Sequence, residues 1–374
     1  MKKIIALVVA LLMVVALAAC AAPAAPATDA PATEAPATEA PKTEAPATEA
    51  PATAEAPTGE KKLISVIIKA TDSDFWQQLV VGAKNFEFEN KDAVTVEILG
   101  PPSESDIDKQ VEITEQCVTK KPDAILIAST SSDACNNAID SAAQAGIPLI
   151  TVDNKVTTDT YITHLATDNY TAGGKAAERF VKELQDRGVE LKGKLGLVTA
   201  LSGVQVLVDR VGGFVDKLKE IAPDIECLEE VYVDNDIPKA QSAAENIYTA
   251  NKADLIGFYA SNNATGDGVV NFMTENNLGS SLVLVTFDSD KLEIDGIKNG
   301  QNAATVIQDP YGMGYKGCTY LYQIITGEKK AEDFKNADGT PGYEDTGVNI
   351  VDLGNVESDE MKGVIDPFSL KKYE

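Results

Sequence analysis

From Lys61 onward the chain alternates short apolar runs with longer amphipathic stretches. Ile64-Ser65-Val66-Ile67-Ile68, Val94-Thr95-Val96-Glu97-Ile98-Leu99, Ala124-Ile125-Leu126-Ile127-Ala128 and Ile147-Pro148-Leu149-Ile150-Thr151-Val152 read as strands. Between them, Phe75–Phe88, Ser105–Lys120 and Ser132–Ala145 carry apolar residues at helical spacing. The cycle resumes after Thr167, with helices over Asn169–Leu184, Val206–Ile221, Pro238–Ala250 and Ala264–Asn276. Strands are expected over Lys194–Thr199, Glu230–Val233, Leu255–Tyr259 and Leu282–Phe287. Runs that are apolar on both faces, separated by helices, predict parallel sheets covered by helices on either side.

The first sixty residues break this pattern. Lys2 and Lys3 precede an apolar run from Ile4 to Ala16, and Leu17-Ala18-Ala19-Cys20 follows. The run is too short to span a bilayer and ends in small residues, so residues 1–20 read as an export signal. The Leu-Ala-Ala-Cys tetrad resembles a bacterial lipobox, which implies that Cys20 is lipidated and anchors the mature protein outside the cytoplasm; the alternative is an ordinary signal peptide with an incidental cysteine. Residues 21–60 repeat Ala-Pro-Ala-Thr-Glu. Frequent proline and the lack of large apolar residues predict an extended, weakly acidic tether.

About 310 residues remain, which suits two lobes better than one core. The formal net charge of −26 argues against nucleic acid or an anionic membrane surface as partner. Cys117, Cys135, Cys227 and Cys318 are scattered without a CxxC pair, and His164 is the single histidine. No zinc-ligand spacing and no nucleophile–histidine signature results, and no metal or cofactor is expected. The thiols are expected buried and unpaired, with a disulfide left open. His164 reads as a packing residue. Asp234-Asn235-Asp236 lacks the glycine and spaced acids of a calcium loop. Gly266-Asp267-Gly268 follows no phosphate-loop pattern and is expected at the surface near the site.

In parallel α/β sheets ligands bind beyond the carboxyl ends of the strands. There the sequence places Lys69 with Phe75-Trp76, Asp153-Asn154-Lys155, Ser261-Asn262-Asn263, Asp288, and Gln308-Asp309. Carboxylates, amides, an ammonium and aromatic planes are the groups that hold a polyhydroxylated, mostly uncharged ligand.

The order of Ser73-Asp74-Phe75-Trp76, Gly146-Ile147-Pro148 with Asp153, Thr167-Asp168-Asn169, Asp209-Arg210 before Gly213-Phe214, Asn262, Phe287-Asp288 and Ala304–Gln308 resembles the ribose/allose/galactose class of periplasmic sugar-binding proteins. The resemblance implies the type I solute-binding fold of ABC importers: two Rossmann-like α/β lobes, each a parallel sheet sandwiched by helices, joined by a three-segment hinge. Lobe one would comprise 61–166 plus 309–345, and lobe two 167–308 plus 346–374. It further implies a monomeric, non-enzymatic lipoprotein that closes on a monosaccharide and delivers it to an ABC permease. Lys69, Phe75, Trp76, Asp153, Arg210, Asn262, Asp288 and Gln308 fall on the family's ligand positions. Asn154 stands where ribose-type relatives carry arginine, and Asn235 where many carry a covering aromatic, so the ligand leans from ribose towards an allose-like hexose or another pentose. Three other classes stay in view. A sensor would present its closed form to a chemoreceptor or membrane kinase. A hydrolase would use Asp153 and Asp288 as a pair. A sugar-responsive repressor shares the fold, but acidity and the missing DNA-binding helices oppose it.

Overall fold

A computed structural model describes residues 60–373. The signal segment, Cys20 and nearly all of the tether lie outside the described residues. The first lobe is laid down as β1 (Lys62–Ile67), α1 (Asp74–Glu89), β2 (Val94–Leu99), α2 (Ile107–Lys120), β3 (Ala124–Ile127), α3 (Asn136–Gln144), β4 (Leu149–Val152) and β5 (Thr163–Ala166). The second follows as α4 (Asn169–Asp186), β6 (Gly193–Thr199), α5 (Gln205–Ile221), β7 (Ile225–Tyr232), α6 (Ile237–Asn251), β8 (Leu255–Ala260), α7 (Asn263–Glu275), β9 (Val283–Phe287), α8 (Lys291–Lys298) and β10 (Ala304–Ile307). The chain then supplies α9 (Pro310–Ile325), β11 (Gly342–Asp345), β12 (Asn349–Asp352) and a last short helix, α10 (Lys362–Ile365).

Two six-stranded sheets result, ordered β11-β5-β4-β3-β1-β2 and β12-β10-β9-β8-β6-β7. Every pairing in the first is parallel. In the second only β12 runs antiparallel, against β10. β3, β4, β5, β9 and β10 are buried along their whole length, as strands covered by helices on both faces must be. The two orders repeat one another position by position: β1 corresponds to β6, β3 to β8 and β4 to β9.

Each sheet is sealed by a helix pair that needs glycine. An added Cβ on Gly173 of α4 would lie 2.0 Å from the Arg210 carbonyl oxygen, and one on Gly213 of α5 would lie 1.9 Å from that of Tyr170. In lobe one, Gly82 of α1 and Gly314 of α9 sit equally close to the facing backbones. Phe180 and Phe214 are fully buried beneath the α4–α5 contact.

Some local expectations change. α3 starts four residues later than Ser132, because Ser131 to Cys135 form a turn held by the Ser131 hydroxyl. β7 begins at Ile225, five residues before the expected Glu230; it is an edge strand whose acidic, exposed face hides the period from a hydrophobicity reading. Gly266-Asp267-Gly268 is not at the surface: these residues are buried in the first turns of α7, packed on α6 and α8. The end of the chain also departs from the expected boundary at 346–374. β12 and α10 pack on the second lobe through Val351, Val356 and Met361. The turn Pro367–Leu370 then returns to lobe one, where buried Asn85 of α1 donates to the Leu370 carbonyl at 2.8 Å and accepts the Lys372 amide at 2.8 Å. Cys117, Cys135 and Cys318 are buried and Cys227 half-buried, all free thiols. No helix among the described residues is long and apolar enough to cross a membrane.

Candidate functional site

The carboxyl ends of the strands in both sheets converge on one narrow cavity between the lobes. Lobe one lines it with Lys69, Phe75, Trp76, Glu104 and Asp153; lobe two with Val204, Val206, Leu207, Arg210, Asn262, Asn263 and Asp288; and Gln308 comes from a segment running between the lobes. Eight expected residues therefore meet in one space. Across the cleft the lobes touch directly: Asn263 Nδ2 donates to Ser73 Oγ at 3.2 Å, and Gln78 Nε2 to Ser289 Oγ at 3.1 Å.

Asp153 and Asp288 follow corresponding strands, β4 and β9, and both adopt left-handed backbone, φ 65° and 82°. Their amides donate to the equivalent neighbouring strands, Asp153 to Leu165 and Asp288 to Val306. A non-glycine residue held there costs about 1–3 kcal/mol. The fold bears that cost twice, at the same place in each lobe, and each time it turns a carboxylate into the cavity.

Lys69 Nζ and Asp153 Oδ2 form an ion pair at 2.5 Å, both side chains almost wholly buried. Removing one partner of such a pair strands a charge and costs about 3–5 kcal/mol. Lys69 also lies 5.3 Å from the centre of the Trp76 ring, a cation–π contact. Phe75 meets Trp76 edge-on at 4.8 Å. The indole is pinned by its Nε1, which donates to Glu104 Oε1 at 2.5 Å. Burial pushes the Glu104 carboxyl up, Asp153 and Asp288 add to this, and Lys69 opposes it.

Opposite, Arg210 Nε donates to Asn169 Oδ1 at 2.9 Å and Nη1 to the Ser261 carbonyl at 2.7 Å, with the guanidinium 4.2 Å over the Phe287 ring. Fixed at both ends and backed by a ring, it is held in one orientation before a ligand arrives. Asp288 accepts the Asn263 amide at 3.1 Å and Gln308 Nε2 at 2.7 Å. Burial raises its carboxyl while Arg210 holds it down. The α8 cap belongs to Asp290, leaving Asp288 to the cavity. Asn262 caps α7, its Oδ1 accepting from the Thr265 backbone amide at 3.3 Å. Gln308 Oε1 is buried without a partner, an acceptor left for a donor from the ligand.

Two expected residues stand behind the wall instead of in it. Asn154 is fully buried with its amide on the Thr130 carbonyl at 3.2 Å, because the turn at Asp153 sends the next side chain away from the cleft. Asn235 accepts from Asn262 Nδ2 at 2.7 Å and so orients a lining residue without lining the cavity itself. His164 is buried between Tyr161 and Tyr343, its Nδ1 3.0 Å from Thr151 Oγ1; burial drives it down to about 4, so it stays neutral. Asp234 pairs with Lys239 and Asp236 caps α6. Glu104 and the apolar Val204, Val206 and Leu207 were not anticipated, and Asn263 was placed at a strand end without a ligand role. Glu104 follows β2, and the rule that directed attention to the other strand ends points to it as well.

Residues 64–329 match the family described as periplasmic binding protein domain. The chain is 27% identical over 269 residues to the ribose import binding protein of Haemophilus influenzae, covering 71% of this chain and 86% of the relative. It is 25% identical over 287 residues to the D-allose-binding periplasmic protein of Escherichia coli, covering 73% and 89%. A carbohydrate-transporter solute-binding protein from Agrobacterium radiobacter, solved with D-arabinose, superposes with a TM-score of 0.75 at 29% identity over 82% of this chain and 99% of that one. An ABC transporter solute-binding protein from Agrobacterium vitis with bound D-fucose gives 0.72 at 31% identity over 81% and 99%.

Proposed function

The chain belongs to the periplasmic binding protein domain family, and from that premise we propose that it is the sugar-binding subunit of an ABC importer, holding one monosaccharide between its lobes. It is a binding protein and leaves its ligand chemically unchanged. The observation that carries the assignment is the cavity itself, where Lys69, Trp76 and Asp153 of one lobe face Arg210, Asn262 and Asp288 of the other. Aromatic planes cover the apolar face of a pyranose, and fixed charged groups replace the water on its hydroxyls.

The ligand class is an allose-like hexose or a pentose. The relatives and solved structures named above carry ribose, allose, arabinose and fucose in their descriptions. Lys69 adds a donor-only group at one end of the ring. Crossings near Thr167, Gln308-Asp309 and Asp345-Thr346 would serve as the hinge, and lipidation at Cys20 as the anchor beside the permease.

The test is a titration of D-ribose, D-allose, D-arabinose, D-fucose and D-glucose, followed by calorimetry and by fluorescence of Trp76, the single tryptophan. At least one sugar should bind and shift the emission, because the indole lies in the cavity wall. No heat from any of the five, with no rise in melting temperature, sinks the assignment.

A further inference from the structure

Beside the ligand cavity, where the first turn of α1 meets the start of α7 and α8, the lobes close over a second group of acids that the cavity does not use. Asp267 lies in the second turn of α7, Asp290 precedes α8 and Glu293 is in its first turn. Glu293 is 0% exposed and Asp267 6%. Asp267 Oδ1, Asp290 Oδ1 and Glu293 Oε1 are each buried without a hydrogen-bond partner. None of the ion pairs among the described residues includes any of the three.

The groups that face them are themselves acidic or neutral. From lobe one comes Asp74 at the start of α1, with Ser73 and Gln78. From the end of β9 comes Asp288, already engaged by Asn263 and Gln308. Asn263 Nδ2 bridges the cleft, donating to Ser73 Oγ and to Asp290 Oδ2, each at 3.2 Å. The Asp290 amide donates to Glu293 Oε2 at 3.3 Å. An ionised carboxylate stripped of water and left unpaired is strongly disfavoured, and neighbours of the same sign worsen it. The protonated acids escape the charge penalty and keep only the smaller cost of unpaired neutral polar groups.

We propose that this interlobe carboxyl cluster is a proton-operated latch, in which the closed form holds protons on Asp267, Asp290 and Glu293 and closure weakens as they ionise. The inference rests on the sugar-binding reading for its ligand but not for its mechanism. Burial, then the neighbouring acids, pushes Asp267 up to about 7 and Asp290 up to about 8, and holds Glu293 well above the carboxylate range. Asp74, which belongs to the other lobe, contributes to the first two. Parting the lobes removes Asp74 and admits water, so these acids ionise more readily in the open form. The sign follows: the closed form binds more protons, closure is favoured at low pH, and that advantage drains away as pH rises through the values of about 7 and about 8 that Asp267 and Asp290 hold in the closed form.

Two measurements on the full-length protein test this. In scattering from unliganded protein, the radius of gyration should rise between pH 5.5 and 8.5 for the wild type and stay constant for Asp267→Asn/Asp290→Asn. Neither residue lines the cavity, and asparagine keeps the size and can cap α8. In calorimetry with whichever of D-ribose, D-allose, D-arabinose or D-fucose binds, the wild-type Kd should weaken about tenfold over that range, one proton displaced by one pH unit. The double variant should show a flat profile. A constant wild-type radius, or equal pH slopes in wild type and variant, overturns the latch. A pH-dependent radius without binding of any of these sugars sinks the ligand assignment and leaves the latch standing.

Discussion

Among single residues, Arg210 is the most exposed to a decisive test. Its guanidinium is already spent on Asn169 and Ser261, so truncation removes the contact and loosens two neighbours as well. Charged hydrogen bonds contribute about 1.5–3 kcal/mol each. Arg210→Ala should therefore weaken sugar binding at least ~100-fold by calorimetry, and Arg210→Lys should recover only part of this because the planar fork is lost. Undiminished affinity in the alanine variant would remove Arg210 from the site. At this scale the residues that terminate strands were readable from the sequence, because a polar group directly after an apolar run can go nowhere except the strand's carboxyl edge. Asn154 shows where the reading stops. Its side chain turns away because Asp153 takes a left-handed backbone, and a non-glycine residue in that region cannot be inferred from composition. Asn235 fails differently: it does touch the site, but through Asn262.

The buried strands β3, β4 and β9 were legible because their runs are apolar apart from a single threonine in β4 and in β9, whereas β5, equally buried, is half polar in sequence. Strands were hard to read where one face meets solvent, as in β7. What periodicity does not reveal is the spacing between helices. α4 and α5 approach until backbone meets backbone at Gly173 and Gly213, and the Arg210 carbonyl is part of that contact. Gly173→Ala should lower stability by about 1–3 kcal/mol, the usual range for an overpacked contact, read as a fall in melting temperature. Because the displaced carbonyl belongs to Arg210, sugar affinity should fall with it. Gly188→Ala is a useful contrast: it strains a left-handed turn but meets no atom within 4 Å, so it should cost stability without touching affinity. An unchanged melting temperature for Gly173→Ala would show that the helices can separate without penalty.

For the whole molecule, the two-lobed α/β plan follows from the strand–helix alternation, and the repeated strand order explains why each half ends β4 or β9 in a strained aspartate. The course of the chain's end was not legible, because the segment after β12 has no periodicity to follow and is held by Asn85, nearly three hundred residues away. The lipidation proposal also belongs here. Cys20→Ser should move the protein from the membrane fraction to the soluble one; continued sedimentation with membranes would contradict an acyl anchor.

The returning tail has a practical consequence for anyone building a fluorescent sensor from this scaffold. A reporter placed after Tyr373 would ride on the lobe that also carries β1, so a donor–acceptor pair placed there and just ahead of β1 would register little when the halves swing. Moving one fluorophore to the turn around Gly188, on the other half, would make the same motion visible as energy transfer.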